Sequence, residues 1–543
     1  MMRKEGFPMK RIVLVIFVAL YSLSTWAQGS EIRQDRGKEV VLERPGDPPA
    51  PESVVKGLTE DKVAVDITRN GFLSVQVNVT ADNLNTRDDA ANEPSLAVDP
   101  TAPNRMVIGW RQFDSVSSNH REAGVAWSND GGRTWTNPPS LNDGTFRSDP
   151  VLACDADGHF FYNSLSIFAS NLLQAEFFDS SDGGQTWAGP EEAFGGDKVW
   201  VTIDRTDGIG RGNIYQSWST AANRWGDRVF SRSTDGGRTF SSPQVLLPPP
   251  IWGTLTVGRQ GELYLAGNAG FAFNVFILWR SLDAKDPDVD EPLFEFFFAP
   301  LGGRQGTGDG SFETPNPAGL LGQVWLAVDT SDGPNRDALY MLSSVDPPGS
   351  DPQDVHFIRS TDGGETWSQP IRVHTDDRDA WQWFGTMSVA SNGRIDVVWV
   401  ESLTGAEPNI GEIYYSSSSD GGLTWSDAVA VTPAFDSHIG FPRQNKMGDY
   451  FHMRSDLVGA DLAFAATFNG EQDVFFMRIG DRDCDGNGIG DTEDLSAGDL
   501  EDCDGNEIPD LCEVAARPEM DINNNGWLDR CEPPPRQGGG RSG

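Results

Sequence analysis

Hydrophobic positions along this chain come in short runs that alternate with polar residues, and no long stretch keeps a helical period. Val125 and Trp127 sit two apart, as do Ile413 and Tyr415, which places each pair on one face of a strand. Val229 and Phe357 hold the corresponding places in other segments. From residue 91 onward, seven segments open with a short apolar run followed by a second strand, starting near Glu93, Asp149, Lys198, Trp252, Gln323, Trp383 and Asp449. Each is long enough for a four-stranded sheet, which needs roughly 40–50 residues. Before them lies one more β-like stretch, Phe72 to Val79, expected to complete the last segment as a ring-closing strand. The pattern predicts an all-β chain.

An eight-residue turn follows these runs five times, as Ser-x-Asp-Gly-Gly-x-Thr-Trp/Phe: Ser128 to Trp135, Ser180 to Trp187, Ser233 to Phe240, Ser360 to Trp367 and Ser418 to Trp425. The paired glycines permit positive φ, and the aspartate can accept hydrogen bonds from the turn's own amides. The closing aromatic can pack beside the next unit. Asp130, Asp182 and Asp235 are 52 and 53 residues apart, and Asp362 and Asp420 are 58 apart. The gap of 127 from Asp235 to Asp362 leaves room for one unit whose turn has decayed, with Trp279-Arg280-Ser281-Leu282-Asp283 as its remnant. One unit copied at a near-constant interval closes on itself. The expectation is a β-propeller over residues 91–480 with seven four-stranded blades, six being the alternative. No Gly-His…Trp-Asp pairs occur, which excludes the WD-repeat type.

Composition agrees with this and adds export. Sixty glycines and 17 tryptophans suit a turn-rich β protein. Residues 1–27 read as a signal peptide: Lys10-Arg11, the apolar run Ile12 to Leu20, then Thr25-Trp26-Ala27 at the cleavage position. A retained anchor is the alternative. Residues 28–90 form a Pro-rich, charged extension, and no second apolar stretch is long enough to span a bilayer. The expected location is secreted or cell-surface, and the protein is not expected to be integral to a membrane. A formal charge of −39 disfavours nucleic acid as a partner.

Much of that charge lies in residues 481–532, which hold 17 Asp/Glu against three Arg. A solvated acidic tail is the ordinary reading of such a run, but the spacing is regular. Three loops begin 19 residues apart. Positions 1, 3, 5, 9 and 12 are Asp483, Asp485, Asn487, Asp491 and Asp494 in the first, and Asp502, Asp504, Asn506, Asp510 and Glu513 in the second. The third has Asp521, Asn523, Asn525, Asp529 and Glu532. Gly488 and Gly526 take the bend in loops one and three, and Glu507 takes it in loop two. Oxygen-only side chains at these offsets suit calcium, so a small EF-loop-like module with structural calcium is expected. Cys484 and Cys503 stand at loop position 2, Cys512 and Cys531 at position 11. Without a C-x-x-C pair zinc is disfavoured, and two disulfides are expected. Of three connectivities, Cys484–Cys503 with Cys512–Cys531 is the preferred one. Cys154 reads as a buried small hydrophobe, and residues 533–543 as a flexible tail.

Chemistry is expected where 2–3 and 4–1 loops converge on the channel, away from the repeated turns. First-strand starts supply Glu93, Asp149, Asp197, Lys198, Lys446, Asp449 and Tyr450; second-strand ends supply Arg111, Asp114, Trp218 and Glu401. Paired carboxylates are what glycoside hydrolysis uses. The bland reading is a set of polar groups lining a wet channel mouth.

The repeated turn resembles the Asp-box of the sialidase-like propellers, over roughly residues 91–480. That resemblance implies a glycan-acting enzyme with an arginine cluster for a sugar carboxylate, a Tyr–Glu nucleophile and an Asp acid/base. Carried onto this chain, it makes Arg111, Asp114, Glu401, Tyr450 and Arg443 the catalytic candidates, with Glu93, Asp149, Asp197, Lys198 and Asp449 around the substrate. The family's Phe-Arg-Ile-Pro motif before the first box does not occur here, and sialidases have six blades. The acidic loops resemble the thrombospondin type 3 repeat and, less closely, dockerin, which would imply a cohesin-like partner. Two classes follow: a glycoside hydrolase, exo-α-sialidase-like in the broad sense, acting on extracellular glycans or glycoproteins, or a non-catalytic carbohydrate- or protein-binding adhesion propeller.

Overall fold

A computed structural model describes residues 62–169, 172–270, 273–374 and 378–532. The chain divides into two units, Met1–Val41, outside the described residues, and Leu42–Gly543, which holds everything below. The expected signal peptide and the tail from residue 533 also lie outside the described residues.

Seven antiparallel sheets follow one another in chain order, each built from neighbouring segments, as a propeller requires. Their innermost strands are Ala90–Val98, Ser148–Cys154, Trp200–Ile203, Leu255–Val257, Trp325–Val328, Gln382–Val389 and His452–Ser455. These define blades 1 to 7 and line the central channel. Blade 7 takes its outer strands from the other end of the chain: Phe72–Gln76 pairs with Asp473–Gly480, with Ser74 opposite Met477. The ring is therefore closed by hydrogen bonds between early and late sequence, as the alternation at Phe72 to Val79 predicts. Blade 1 has three full strands, and its outer edge is reduced to bridges at Leu141 and Thr136.

All five repeated turns join the third strand of a blade to its outer edge. In each, the serine Oγ donates to the aspartate Oδ1 and accepts the second glycine's N–H at 2.9 Å. The aspartate accepts the threonine N–H at 2.9 Å. The decayed turn keeps part of this, with Ser281 Oγ donating to Asp283 Oδ1 at 2.9 Å. Both glycines of every turn have positive φ, from 68° to 91°. The second also lies against an apolar side chain of the preceding blade. A Cβ at Gly132 would strike Phe476, one at Gly184 Val107, one at Gly364 Leu278 and one at Gly422 Phe357. The turns thus fasten blade to blade, and Gly132 on Phe476 does so across the ring closure.

The C-terminal segment sits on the same face. Arg482 donates to the Gly131 carbonyl of the first turn, and the Leu457 side chain approaches Gly488. Two short helices, Asp491–Ala497 and Asp510–Ala516, begin at position 9 of the first two acidic loops. The disulfides are Cys484–Cys512 and Cys503–Cys531, both with Cα atoms 5.9 Å apart. This corrects the expected pairing of like positions. Each bridge joins position 2 of one loop to position 11 of the next, because stacked repeats bring the start of a loop beside the end of its successor.

Candidate functional site

In blades 1, 2, 3, 4 and 6 a non-glycine residue at positive φ stands at or close to the start of the channel strand: Glu93 (52°), Asp149 (44°), Lys198 (55°), Trp252 (55°) and Phe384 (54°). In blade 7 the place falls to Gly448, at 88°. Such backbone is sparsely populated for L-residues and clusters at functional sites. In blades 1 and 2 the following residues, Pro94 and Pro150, have no N–H for the ladder, and the pairing register shifts at both points.

Three of these residues carry charge, and they meet at the loop end of the channel. Lys198 Nζ lies 2.7 Å from Asp449, 3.2 Å from Asp197 and 3.4 Å from Asp149. Lys446 Nζ lies 2.7 Å from Asp449 and 3.5 Å from Glu93, whose other oxygen is 3.2 Å from Arg111. Arg121 is within electrostatic reach of Asp149, Asp449 and Asp197. Four cations and four carboxylates share one network in which no side chain is more than 8% exposed. The set is closed over by a hairpin running from Gly306 to Leu321, with Thr307 bridged to Leu320. Its Leu320 N–H donates to Asp449 Oδ1 at 2.7 Å, and Asn316 donates to the Gly448 carbonyl at 2.8 Å.

The carboxylates are driven apart in acidity. Burial raises the Glu93 carboxyl, Arg111 and Lys446 lower it, and the balance leaves it at about 8. Asp149 is equally buried, but Lys198, Arg111 and Lys446 together hold it at about 2. Asp449 is held well below the ordinary range by Lys198 and Lys446 against its burial, helped by a hydrogen bond from Glu93. Near neutral pH the network therefore contains a protonated acid beside ionised carboxylates. Separation of this kind is what assigns proton donor and ionised partner in one pocket.

The sequence candidates divide into those that join this network and those that do not. Glu93, Asp149, Asp197, Lys198, Asp449 and Arg111 are brought together. Tyr450 lies just beneath, its hydroxyl donating to the Pro150 carbonyl at 2.7 Å and its ring against Trp200. Asp114 does not reach them: it lines a separate cavity of about 210 Å³ with Asp89, Trp110 and Ser140. Burial and Glu122 raise it to about 6. Glu401 is held within blade 6 by Arg378, by Trp399 Nε1 at 3.1 Å and by His374 at 3.8 Å. Arg443 is exposed on the loop before Lys446, its N–H on the Ser118 carbonyl at 3.2 Å. The expected meeting of Asp114, Glu401 and Tyr450 in one pocket is thus corrected: their partners belong to three different surroundings. Sequence reasoning missed Arg121 and Arg147, both fully buried; Arg121 lies over Phe146 at 4.5 Å, and Arg147 pairs with Glu176. Their place at strand starts on the loop face was the available signal.

Below Tyr450 the channel is filled by rings. Trp200 lies 5.2 Å from both Trp325 and Tyr450 and 5.4 Å from His452, which stacks on Trp325 at 5.7 Å. Cys154 is buried, and burial lifts its thiol to about 12, which fits a wall residue and not a nucleophile.

In the acidic segment all three loops bend alike. Asp483 accepts the Gly488 N–H, Asp502 the Glu507 N–H and Asp521 the Gly526 N–H, at 2.7–2.8 Å. Glu507 adopts the left-handed φ of 64° that glycine takes in the other two. Buried oxygens without a partner remain on Asp483, Asp491 and Asp510, as a hard cation's ligands would leave them.

No protein-family model matches the chain. A probable oligoxyloglucan-reducing end-specific xyloglucanase of Neosartorya fischeri is 25% identical over 390 residues, 64% of this chain. The chain spans 42% of that relative's length. Among solved structures, a Dyadobacter fermentans protein of unknown function aligns over 77% of this chain and 99% of its own, at TM-score 0.41 and 13% identity. The GH74 xyloglucanase of Xanthomonas campestris aligns over 78% and 67% at 0.40 and 14%. Trypanosoma rangeli sialidase aligns over 78% and 60% at 0.35 and 11%.

Proposed function

We propose that this chain is a secreted, glycoside-hydrolase-like propeller that acts on extracellular glycans, with the loop-face charge network as its acid–base centre. One observation carries the reading: carboxyls from neighbouring blades, Glu93 and Asp149, share one buried set of cations with Asp449, in surroundings that raise Glu93 and lower Asp149. Glu93 would protonate the leaving oxygen, and Asp149 would stabilise or activate the opposite side. Arg111 and Lys446 border Glu93 and would hold anionic or hydroxylated substrate groups. The xyloglucanase of N. fischeri belongs to the same broad class of activity and supports it distantly. Substrate reaches the network when the 306–321 hairpin lifts from Asp449. The acidic loops would bind calcium through Asp483, Asp491, Asp494 and their counterparts, as a structural brace on the turn face.

A second reading, a non-catalytic glycan- or protein-binding propeller, is favoured by the closure itself, since the network is nearly solvent-free. A cohesin-like partner for the acidic module belongs with that reading. Reducing-end release from sialosides, xyloglucan and a polysaccharide panel separates the two. The enzyme reading expects turnover that falls at least a hundredfold in Glu93→Gln with substrate affinity retained. Binding without turnover, identical in wild type and Glu93→Gln, would establish the second reading in its place.

A further inference from the structure

On the turn face, beyond the aromatic layer, the channel opens into a cavity of about 700 Å³ formed by the ends of the first strands and the turns that follow them. Its wall carries Arg205 and Arg454, and Arg259 stands at its rim. Arg259 is satisfied by Asp332 at 2.8 Å and by the Thr330 and Ser331 carbonyls. The other two are not satisfied in this way. Arg205 gives its Nε to the Cys154 carbonyl at 2.7 Å, and Arg454 has a buried Nε without a hydrogen-bond partner. Among the described residues, no carboxylate lies within ion-pair distance of either guanidinium. The one acid in the wall, Asp207, is fully exposed and pairs with Arg211 at 3.1 Å.

Two neighbouring cations, neither in ion-pair contact with a carboxylate, thus face one cavity in a chain of formal charge −39. Burial and the charge of Arg205 push Arg454 down to about 10, the direction that a bound anion would reverse. The rest of the wall offers donors. Thr202 and Thr256 present hydroxyls, and His452 accepts the Leu96 N–H at Nδ1, which leaves its proton on Nε2. Guanidinium forks, hydroxyls and an imidazole N–H are the groups that hold an oxyanion. The volume exceeds what a bare inorganic ion needs and falls within the range of small-molecule sites.

We propose that the turn-face end of the channel is a binding site for a small ligand bearing an oxyanion, held between Arg205 and Arg454. A carboxylate on an acidic sugar and an inorganic or esterified sulfate share that chemistry. The site is separated from the Glu93 network by the Trp200, Trp325 and His452 layer, so it stands independently of the activity proposed there.

The test uses the full chain in calcium-containing buffer, with sodium glucuronate and sodium sulfate as probes and sodium chloride at matched ionic strength as reference. Thermal stability and calorimetry are followed for wild type, Arg454→Gln and Arg205→Gln. The expected result is a saturable rise in melting temperature with at least one probe, beyond that in chloride, and an apparent affinity at least tenfold weaker in both variants. Tighter binding of glucuronate assigns an acidic sugar; tighter binding of sulfate assigns a sulfate-type group. If Arg454→Gln fails to fold, Arg205→Gln, on an exposed turn, decides alone. No rise beyond chloride, or the same rise in wild type and Arg205→Gln, would overturn the proposal.

Discussion

Replacing a first and a second glycine of the repeated turns should separate backbone strain from blade-to-blade packing. Gly422 has φ of 81°, and a Cβ there would fall inside contact distance of Phe357 Cε1 and 2.5 Å from its Cζ. Phe357 is fully buried and packs on Trp425 and Tyr340, so it has little room to yield. Gly236, the first glycine of the third turn and so outside the blade contact, has φ of 72° and nothing within 4 Å of a Cβ. Alanine at either position meets the left-handed penalty of about 1–2 kcal/mol. Only Gly422→Ala must also displace a packed ring, adding about 1–3 kcal/mol. The expected losses are about 1–2 kcal/mol for Gly236→Ala and about 2–5 kcal/mol for Gly422→Ala. Urea unfolding followed by tryptophan fluorescence reads the difference as a shift in midpoint at unchanged slope. Phe357→Leu removes the atoms that clash, so the double variant Gly422→Ala/Phe357→Leu should be more stable than the sum of its parts. Equal losses at the two glycines, together with strict additivity, would refute the idea that these turns latch neighbouring blades.

Three further outcomes are expected. Ser360→Ala strips the acceptor from the buried Gly364 N–H and should cost about 1–3 kcal/mol. Asp362→Ala, whose partner Thr366 is exposed and can turn to water, should cost less, and a reversed order in melting temperature would contradict the assignment. Glu93 is raised from 4.5 to about 8 on folding, so its contribution is fully present below pH 4.5 and is lost as pH rises through 8. The stability of wild type relative to Glu93→Gln should therefore decline between pH 5 and 8; parallel curves would exclude a buried proton on Glu93. If the acidic loops bind calcium, chelation should open residues 481–532 to protease and leave the propeller resistant, and cleavage at equal rates with and without calcium would argue against it.

The ring was readable because its signals are local. An eight-residue turn with two glycines encodes its own geometry, and seven strand starts near Glu93, Asp149, Lys198, Trp252, Gln323, Trp383 and Asp449 follow from the apolar runs between turns. Even the decayed fourth unit kept Ser281 and Asp283. What escaped depends on side chains that converge from distant segments. Strand ends identify the face on which Asp114, Glu401 and Tyr450 stand, but not the radius at which each lies. Asp114 proves to belong to an outer cavity, and Glu401 to the charges of its own blade. Arg121 and Arg147 look like ordinary polar residues until burial over phenylalanine rings reveals them. The disulfides depend on how successive loops stack, which identical spacing at 19 residues leaves open.

Closure of the ring by Phe72–Gln76 has a consequence for the order of synthesis. This strand leaves the ribosome early, and its partner Asp473–Gly480 follows about four hundred residues later. At about 5–20 residues per second that is a wait of roughly 20–80 s. Ile67–Arg69 covers one edge of the strand, but through that interval the other edge has no mate, and blade 7 cannot complete its sheet. A chain that stalls before residue 473 leaves the edge of Phe72–Gln76 open, and one that loses Phe72–Gln76 exposes the edge of Asp473–Gly480; the matching strand of another copy fits either edge equally well. Crowded nascent chains therefore have a built-in route to strand-exchanged dimers, and delaying collapse until the whole chain is available is the condition that favours the closed monomer.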